Sequence, residues 1–145
     1  MHGRRWLLTS VGALAAVAAT GAGAEDSSLT PGLYRVEVRI GLPNVQDVAA
    51  PLVVTRCVSR EGLRTGQAFF ILSDNPLKTC ELVDYQASPG TAIYRVACVG
   101  HNRGSAAAVF DTKSATYRGT ITMNMGGKNM TMSETQIGKR IGDCH

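Results

Sequence analysis

The sequence is poor in the residues and motifs on which most enzyme active sites depend. It contains three histidines and one tryptophan, and only 6% of its residues are aromatic. It has no G-x-S-x-G nucleophile elbow, no H-E-x-x-H zinc motif and no glycine-rich phosphate loop. The common hydrolase, metalloprotease and nucleotide-binding classes therefore have no support. The prediction is a protein that is not an enzyme and has no cofactor.

The chain also lacks a block of charge of one sign and a long apolar segment. Fifteen basic residues stand against eleven acidic ones, and after residue 24 the two signs alternate along the chain. Nucleic acid is therefore not an expected partner. The apolar run over residues 6–19 is shorter than the roughly 20 residues of a spanning helix. No membrane-spanning segment is expected once this run has been removed with its leader.

The first 24 residues have the three parts of a secretory signal peptide. Arg4 and Arg5 provide a charged start, residues 6–19 form an uncharged apolar middle, and Ala22-Gly23-Ala24 is a small-residue cleavage site. Cleavage after Ala24 would leave residues 25–145 as a single disulfide-bonded β domain, in the periplasm or secreted. The adjacent arginines leave both the general and the twin-arginine export route open.

The four cysteines all lie after the predicted leader and are widely spaced, at Cys57, Cys80, Cys98 and Cys144. Zinc sites usually use close C-x-x-C pairs, and none is present. An even number of cysteines in a small exported chain indicates disulfides instead. Of the three possible pairings we favour Cys57–Cys80 with Cys98–Cys144. The first bond would constrain the least regular part of the chain, and the second would fix the C-terminal tail to the rest of the domain.

Alternation of apolar and polar residues predicts about seven antiparallel strands. The first runs from Tyr34 to Ile40, where every second residue is apolar. A second strand is predicted from the run of β-branched residues over 52–58, and the others are expected over residues 82–87, 91–99, 105–110, 115–125 and 130–137. Because most strands are sequential neighbours, the predicted fold is all-β, an antiparallel meander curled into a half-barrel or a small barrel.

One segment, residues 59–79, breaks the alternation and is predicted to be a lid. It contains Gly62, Gly66 and Pro76, and Ser59 is suited to cap a short helical turn. The apolar run over residues 68–72 fits a short helix or a strand. We expect this irregular or helical lid to cover one open side or end of the sheet.

The last predicted hairpin brings four methionines onto one face. A loop over residues 126–129 sets Met125 opposite Met130 and Met123 opposite Met132, and alternate side chains of a strand share a face. The opposite face is polar and carries Thr120, Thr122, Asn124, Thr131, Ser133 and Thr135. Flexible methionines fill a core or line an apolar pocket. The alternative is a Cu(I) site, because clustered thioethers suit that soft ion.

Few residues remain as catalytic candidates. His101 lies in a predicted loop between strands and His145 is the last residue, and neither has a visible nucleophile partner. Asp74 and Asp84 would need the fold to bring them together. An enzyme in which His101 meets a carboxylate or hydroxyl in a cleft is therefore only a second alternative.

An ordered set of short motifs resembles that of a known family. The set comprises Pro31-Gly32-Leu33-Tyr34, Cys57, Cys80-Glu81-Leu82-Val83-Asp84-Tyr85, Cys98, Tyr117-Arg118-Gly119-Thr120 and Gly138-Lys139-Arg140-Ile141-Gly142-Asp143-Cys144. It resembles the domain of unknown function 3617 family, small proteobacterial proteins exported to the periplasm. The resemblance covers nearly all of residues 25–145, and it implies an exported protein without implying a settled activity.

Together these patterns favour a non-catalytic binding or interaction module in the periplasm, with a Met-lined apolar face. The expected partner is an apolar small molecule or another periplasmic protein. The edge strands of an unclosed sheet are also suited to pair between chains.

Overall fold

A computed structural model describes residues 28–45, 50–100, 103–126 and 130–145. The predicted signal peptide over residues 1–24, the candidate His101 and residues 127–129 of the predicted methionine loop lie outside these described residues.

The described residues form one antiparallel sheet of seven strands. The strands are β1 (Gly32–Gly41), β2 (Leu52–Val58), β3 (Glu81–Ser88), β4 (Thr91–Ala97), β5 (Ser105–Lys113), β6 (Thr116–Asn124) and β7 (Thr131–Gly142). Their order across the sheet is β2-β1-β7-β6-β5-β4-β3. The predicted all-β meander is confirmed. The sheet stays open, with β2 and β3 at its two edges, so the closed small barrel is not formed.

Two strands extend further than the alternation predicted. The strands predicted over residues 105–110 and 115–125 leave residues 111–114 as a loop, but Lys113 pairs with Thr116 and only a two-residue turn separates β5 from β6. The reason is that Thr112 is buried and continues the core-facing positions of β5. β7 likewise continues beyond Ile137 to Gly142. Gly138 occupies a core-facing position there, but it has no apolar side chain and therefore does not show in the alternation.

The connection from β2 to β3 crosses the whole sheet, because these strands lie at opposite edges. We term it the cover segment (residues 59–80). It contains helix α1 (Arg60–Thr65) and two short 3-10 turns, Gln67–Phe69 and Pro76–Thr79. The Ser59 side chain accepts a hydrogen bond from the Gly62 amide at 2.9 Å, so the predicted helix cap is confirmed. The cover segment packs on the inner face of the sheet.

The hydrophobic core lies between the inner face and the cover segment, and aromatic rings fill it. Phe69 of the cover segment sits 5.0 Å from Phe110 and 5.5 Å from Tyr117, measured between ring centroids. Tyr34 and Tyr94 complete the cluster, and all five residues are at most 2% exposed. Such ring pairs add to the free energy of apolar burial. Side chains of the sheet and of the cover segment therefore fill the space on the inner face.

Gly138 makes room for one of these rings, and a methyl group there is expected to destabilise the fold. A Cβ at Gly138 would lie 2.2 Å from Cε1 of Tyr117, its cross-strand neighbour. Gly138→Ala is expected to lower the free energy of unfolding by about 1–3 kcal/mol, because the ring must shift within a packed core. Urea denaturation measures the change. The control is Gly142→Ala, since a Cβ there meets nothing within 4 Å. Equal effects of the two substitutions would contradict the prediction.

The four cysteines form two disulfides, but with a pairing different from the favoured one. The bonds are Cys57–Cys144 and Cys80–Cys98, with Cα atoms 5.5 and 5.0 Å apart. Leu33 of β1 lies between the two strands that carry the first bond, because it pairs with Cys57 on one side and with Gly142 on the other. Cys80 and Cys98 adjoin the paired residues Glu81 and Ala97. The predicted bonds were therefore wrong because strand order brings other cysteines together.

Candidate functional site at the methionine end

Three strands finish at the same end of the sheet, which we term the methionine end. They are β1, β4 and β6, and cross-strand registers place their last residues at this end. Gly41 pairs with Ser133, and Asn124 pairs with Thr131. Ala97 and Ser105, the last and first residues of β4 and β5, are also partners. The opposite end carries the β3–β4 and β5–β6 turns and the Cys57–Cys144 disulfide.

The methionines of the last hairpin extend from the hydrophobic core to the protein surface at this end. Met123 is the cross-strand partner of Met132, and the Met125 amide donates to the Met130 carbonyl at 2.8 Å. Met123 is fully buried and belongs to the core, whereas Met125 and Met132 are half-buried against it. The Met130 side chain is 47% exposed. The inner part of the methionine face is therefore core, and its outer part is accessible.

Exposed apolar side chains accompany the methionines at this end. Leu42 and Val45 follow β1, and Val99, the most exposed of the group at 93%, follows β4. Single exposed apolar residues are ordinary on protein surfaces, but groups of them mark interaction sites. The described residues at this end therefore include exposed apolar side chains as well as half-buried methionines.

Two adjoining grooves cross the outer face of the sheet beside the methionine end. The larger, of about 540 Å³, spans β3 to β7 over small residues that include Ala97, Ser105 and Ala107. The smaller, of about 300 Å³, runs on to Leu42 and Met132. Both are lined by Thr122 and Thr131. The polar hairpin face thus forms the floor shared by the two grooves, which continue to the apolar groups at the end of the sheet.

The cover segment is anchored to the sheet by a buried carboxylate that the sequence pattern did not reveal. Glu134 of β7 is fully buried, and it accepts hydrogen bonds from the amides of Leu72 and Ser73, both at 2.9 Å. The Ser73 hydroxyl and the Gln136 amide also donate to it, the latter at 2.6 Å. Gln136 itself donates to the Phe70 carbonyl at 3.0 Å. With its oxygens occupied in this way, Glu134 holds the cover segment in place.

Tyrosine hydroxyls add further anchors between the sheet and the cover segment. Tyr94 donates to the Phe69 carbonyl at 2.9 Å, and Tyr85 donates to the Leu63 carbonyl at 2.6 Å. Burial raises the pKa of Tyr94, and it raises the pKa of Tyr117 to about 12, although the nearby Arg56 guanidinium acts in the opposite direction. Both phenols therefore remain neutral at physiological pH. The inner face is thus used for holding the cover segment.

The structure does not bring the remaining catalytic candidates together. Asp84 lies in β3 and forms an ion pair with Arg95 on the outer face, whereas Asp74 is exposed in the cover segment on the inner side. His145 is exposed and follows Cys144, whose disulfide lies at the end of the sheet opposite the methionine end. In the described part of the chain, no group of three or more His, Cys, Asp and Glu side chains is arranged to hold a metal ion.

The described geometry defines a class of protein: a single open β sheet covered on one face by a disulfide-flanked segment. A family model described as "Protein of unknown function (DUF3617)" matches residues 29–144. The chain therefore belongs to this family. No curated protein and no solved structure matches the chain. None of the helices within the described ranges has the length and apolar character needed to span a membrane.

Proposed function

We propose that the protein is an exported, non-catalytic binding module and that the methionine end is its binding surface for apolar groups. The observation that carries this proposal is the exposure of Val99 and Met130 on adjacent loops, beside grooves that reach Leu42. Flexible methionines adapt to apolar partners of varied shape. The inner face is a poorer candidate because Phe69 and the cover segment already occupy it.

The two disulfides support the exported location. Such bonds form and persist in oxidising compartments such as the periplasm, and they are rare where thiols are kept reduced. Each cysteine of the sequence is used in one of them. The partner is then an apolar ligand or an apolar surface of another exported protein.

A dye-binding experiment tests the binding surface. The uncharged dye Nile red is titrated into the exported, oxidised protein, and its fluorescence is expected to rise to saturation. Val99→Ser combined with Met130→Ser is expected to weaken binding about tenfold, because two exposed apolar groups of the site are lost. The matched control is Ile141→Ser, which removes an apolar side chain that is 54% exposed at the opposite end. Absence of saturable binding, or equal losses in variant and control, would refute the assignment.

A second candidate function is the binding of Cu(I), and the methionine pairing favours it. Met123 faces Met132 across the hairpin, and the backbone bond between Met125 and Met130 forms the next step of the same ladder. Thioethers in consecutive pairs on one face are suitable ligands for this soft ion. Met125, Met130 and Met132 are the three that reach the surface.

Competition with a coloured Cu(I) chelator tests this second candidate. With ascorbate keeping copper reduced, the oxidised protein is expected to take Cu(I) from the chelator. The triple variant Met125→Leu, Met130→Leu and Met132→Leu is expected to lose this ability while keeping its packing, since leucine conserves volume but has no sulfur. Met123→Leu is the comparison and is expected to weaken binding less than the triple variant, because the Met123 side chain is fully buried. Competition by the triple variant equal to that of the wild type would exclude the methionine site.

A further inference from the structure

The two edges of the sheet differ in how they are protected from pairing with other strands. Strand β3 is irregular, because its register with β4 shifts between Val83 and Gln86. Asp84, at this shift, has a φ of 52°, a left-handed conformation that is uncommon for residues other than glycine. Its carboxylate pairs with Arg95. A bulge and charged side chains of this kind discourage a further strand from joining the edge.

Strand β2 has no such bulge and no such ion pair. Its residues pair with β1 in unbroken register from Leu52 to Val58, with no proline, glycine, lysine or acidic residue among them. Leu52 is 51% exposed and Val53 is 43% exposed. A regular edge strand presents a row of unpaired backbone groups, and next to exposed apolar side chains this row is a template for another strand. β2 therefore has the properties of a strand that is covered in the functional protein.

The position of β2 is also constrained before it pairs with another strand. The Cys57–Cys144 bond fixes it to the far end of β7 across β1, so little conformational entropy remains to be lost. The one charge in the strand, Arg56, turns toward the cover segment, where its Nη2 donates to the Gln67 carbonyl at 2.7 Å. β2 therefore presents no charged side chain that would repel an approaching strand.

We propose that β2 pairs with β2 of a second copy of this chain, antiparallel about a two-fold axis at Thr55. Thr55 is the middle residue of Leu52–Val58, so pairing about it uses the full length of both strands and leaves no overhang. The two sheets then become one continuous sheet. This proposal is independent of the proposed function, because it involves neither the methionine end nor its loops.

The side chains of β2 are complementary to themselves in this register. Two-fold symmetry requires that each residue and its partner exchange roles. Val53 then lies opposite Cys57 of the second copy, Leu52 opposite Val58, and Val54 opposite Arg56, so like charges do not meet. Arg35, the β1 neighbour of Thr55, is three strand spacings from its equivalent, about 14 Å. That separation exceeds the screening length of about 8 Å at physiological ionic strength.

Sedimentation velocity over a concentration series tests the proposal on the exported, oxidised protein. The wild type is expected to form a dimer. Val53→Lys is expected to weaken the dimer about tenfold, because it places a charge within the paired edge, opposite Cys57 of the second copy. Gln86→Lys makes the matched change on the β3 edge and is expected to leave the dimer unchanged. A wild type that stays monomeric at all concentrations overturns the proposal, as does a dimer that Gln86→Lys weakens as much as Val53→Lys.

Two further measurements fix the register and do not depend on the lysine variants. Thr55→Cys is expected to give a disulfide-linked dimer on a non-reducing gel, whereas Gln86→Cys is expected to give none. Amide hydrogen exchange of the wild type is expected to slow at β2 as concentration rises, and not at β3. Cross-linking through Gln86→Cys alone, or concentration-dependent protection of β3 alone, overturns the proposal. So does protection of β2 only when a different polypeptide is added.

Discussion

Replacing both Cys57 and Cys144 with serine is expected to lower the free energy of unfolding by about 4–5 kcal/mol. The bond joins residues 87 positions apart, so its loss restores much conformational freedom to the unfolded chain. It also holds the edge strand β2 to the end of β7, across β1. Urea denaturation of the double variant, compared with the oxidised wild type, measures the change.

The second disulfide provides the matched comparison. Replacing Cys80 and Cys98 with serine opens a loop of only 18 positions and is expected to cost about 3 kcal/mol. Both double variants lose one bond and gain two hydroxyls, so their difference reflects loop length and local strain. A larger cost for the Cys80–Cys98 pair would contradict the assignment of the long-range bond as the main constraint on the unfolded chain.

Removal of the buried carboxylate by Glu134→Ala is expected to cost about 3–5 kcal/mol. The substitution leaves the amides of Leu72 and Ser73 without their acceptor in a buried site, and it opens a cavity under the cover segment. Glu134→Gln keeps one acceptor oxygen and is expected to have an intermediate effect. Denaturation measures the loss of stability, and amide exchange at Leu72 and Ser73 shows whether the cover segment is released.

A partly exposed acidic residue serves as the control for this prediction. Glu37 of β1 pairs with Arg39 on the outer face at 2.7 Å, and surface pairs of this kind contribute little to stability. Glu37→Ala is therefore expected to change the free energy of unfolding much less than Glu134→Ala. If the two substitutions have equal effects, or if exchange at Leu72 and Ser73 is unaltered in Glu134→Ala, the anchoring role is wrong.

The local features of the fold were predictable from the sequence because neighbouring residues determine them. The run of β-branched residues predicted the bounds of β2 as residues 52–58, as observed. The capping role of Ser59 depends on a residue only three positions away. The opposition of Met123 and Met132 likewise depends on one short hairpin, whose register the loop length determines.

The features that escaped prediction depend on contacts between distant parts of the chain. Glu134 and Gln136 stand in phase with Met132 on β7, and the structure places them on the inner face. The sequence did not show this burial, because the donors that satisfy Glu134 lie 61 and 62 positions earlier in the chain. The cysteine pairing depends on β1 lying between β2 and β7. The grooves also require strand order, since five strands contribute to the larger one.

The nested arrangement of the disulfides has a consequence for how the chain matures. A polypeptide that enters an oxidising compartment from its N-terminus exposes Cys57 and Cys80 before their native partners, Cys98 and Cys144, have arrived. The first bond available to an oxidant is therefore the non-native Cys57–Cys80 bond. Reaching the native pairs then requires thiol–disulfide exchange, in which a free thiolate attacks the existing bond. In the exported protein that we propose, this exchange calls for a disulfide isomerase in addition to an oxidant, and the long-range bond forms only after Cys144 has emerged.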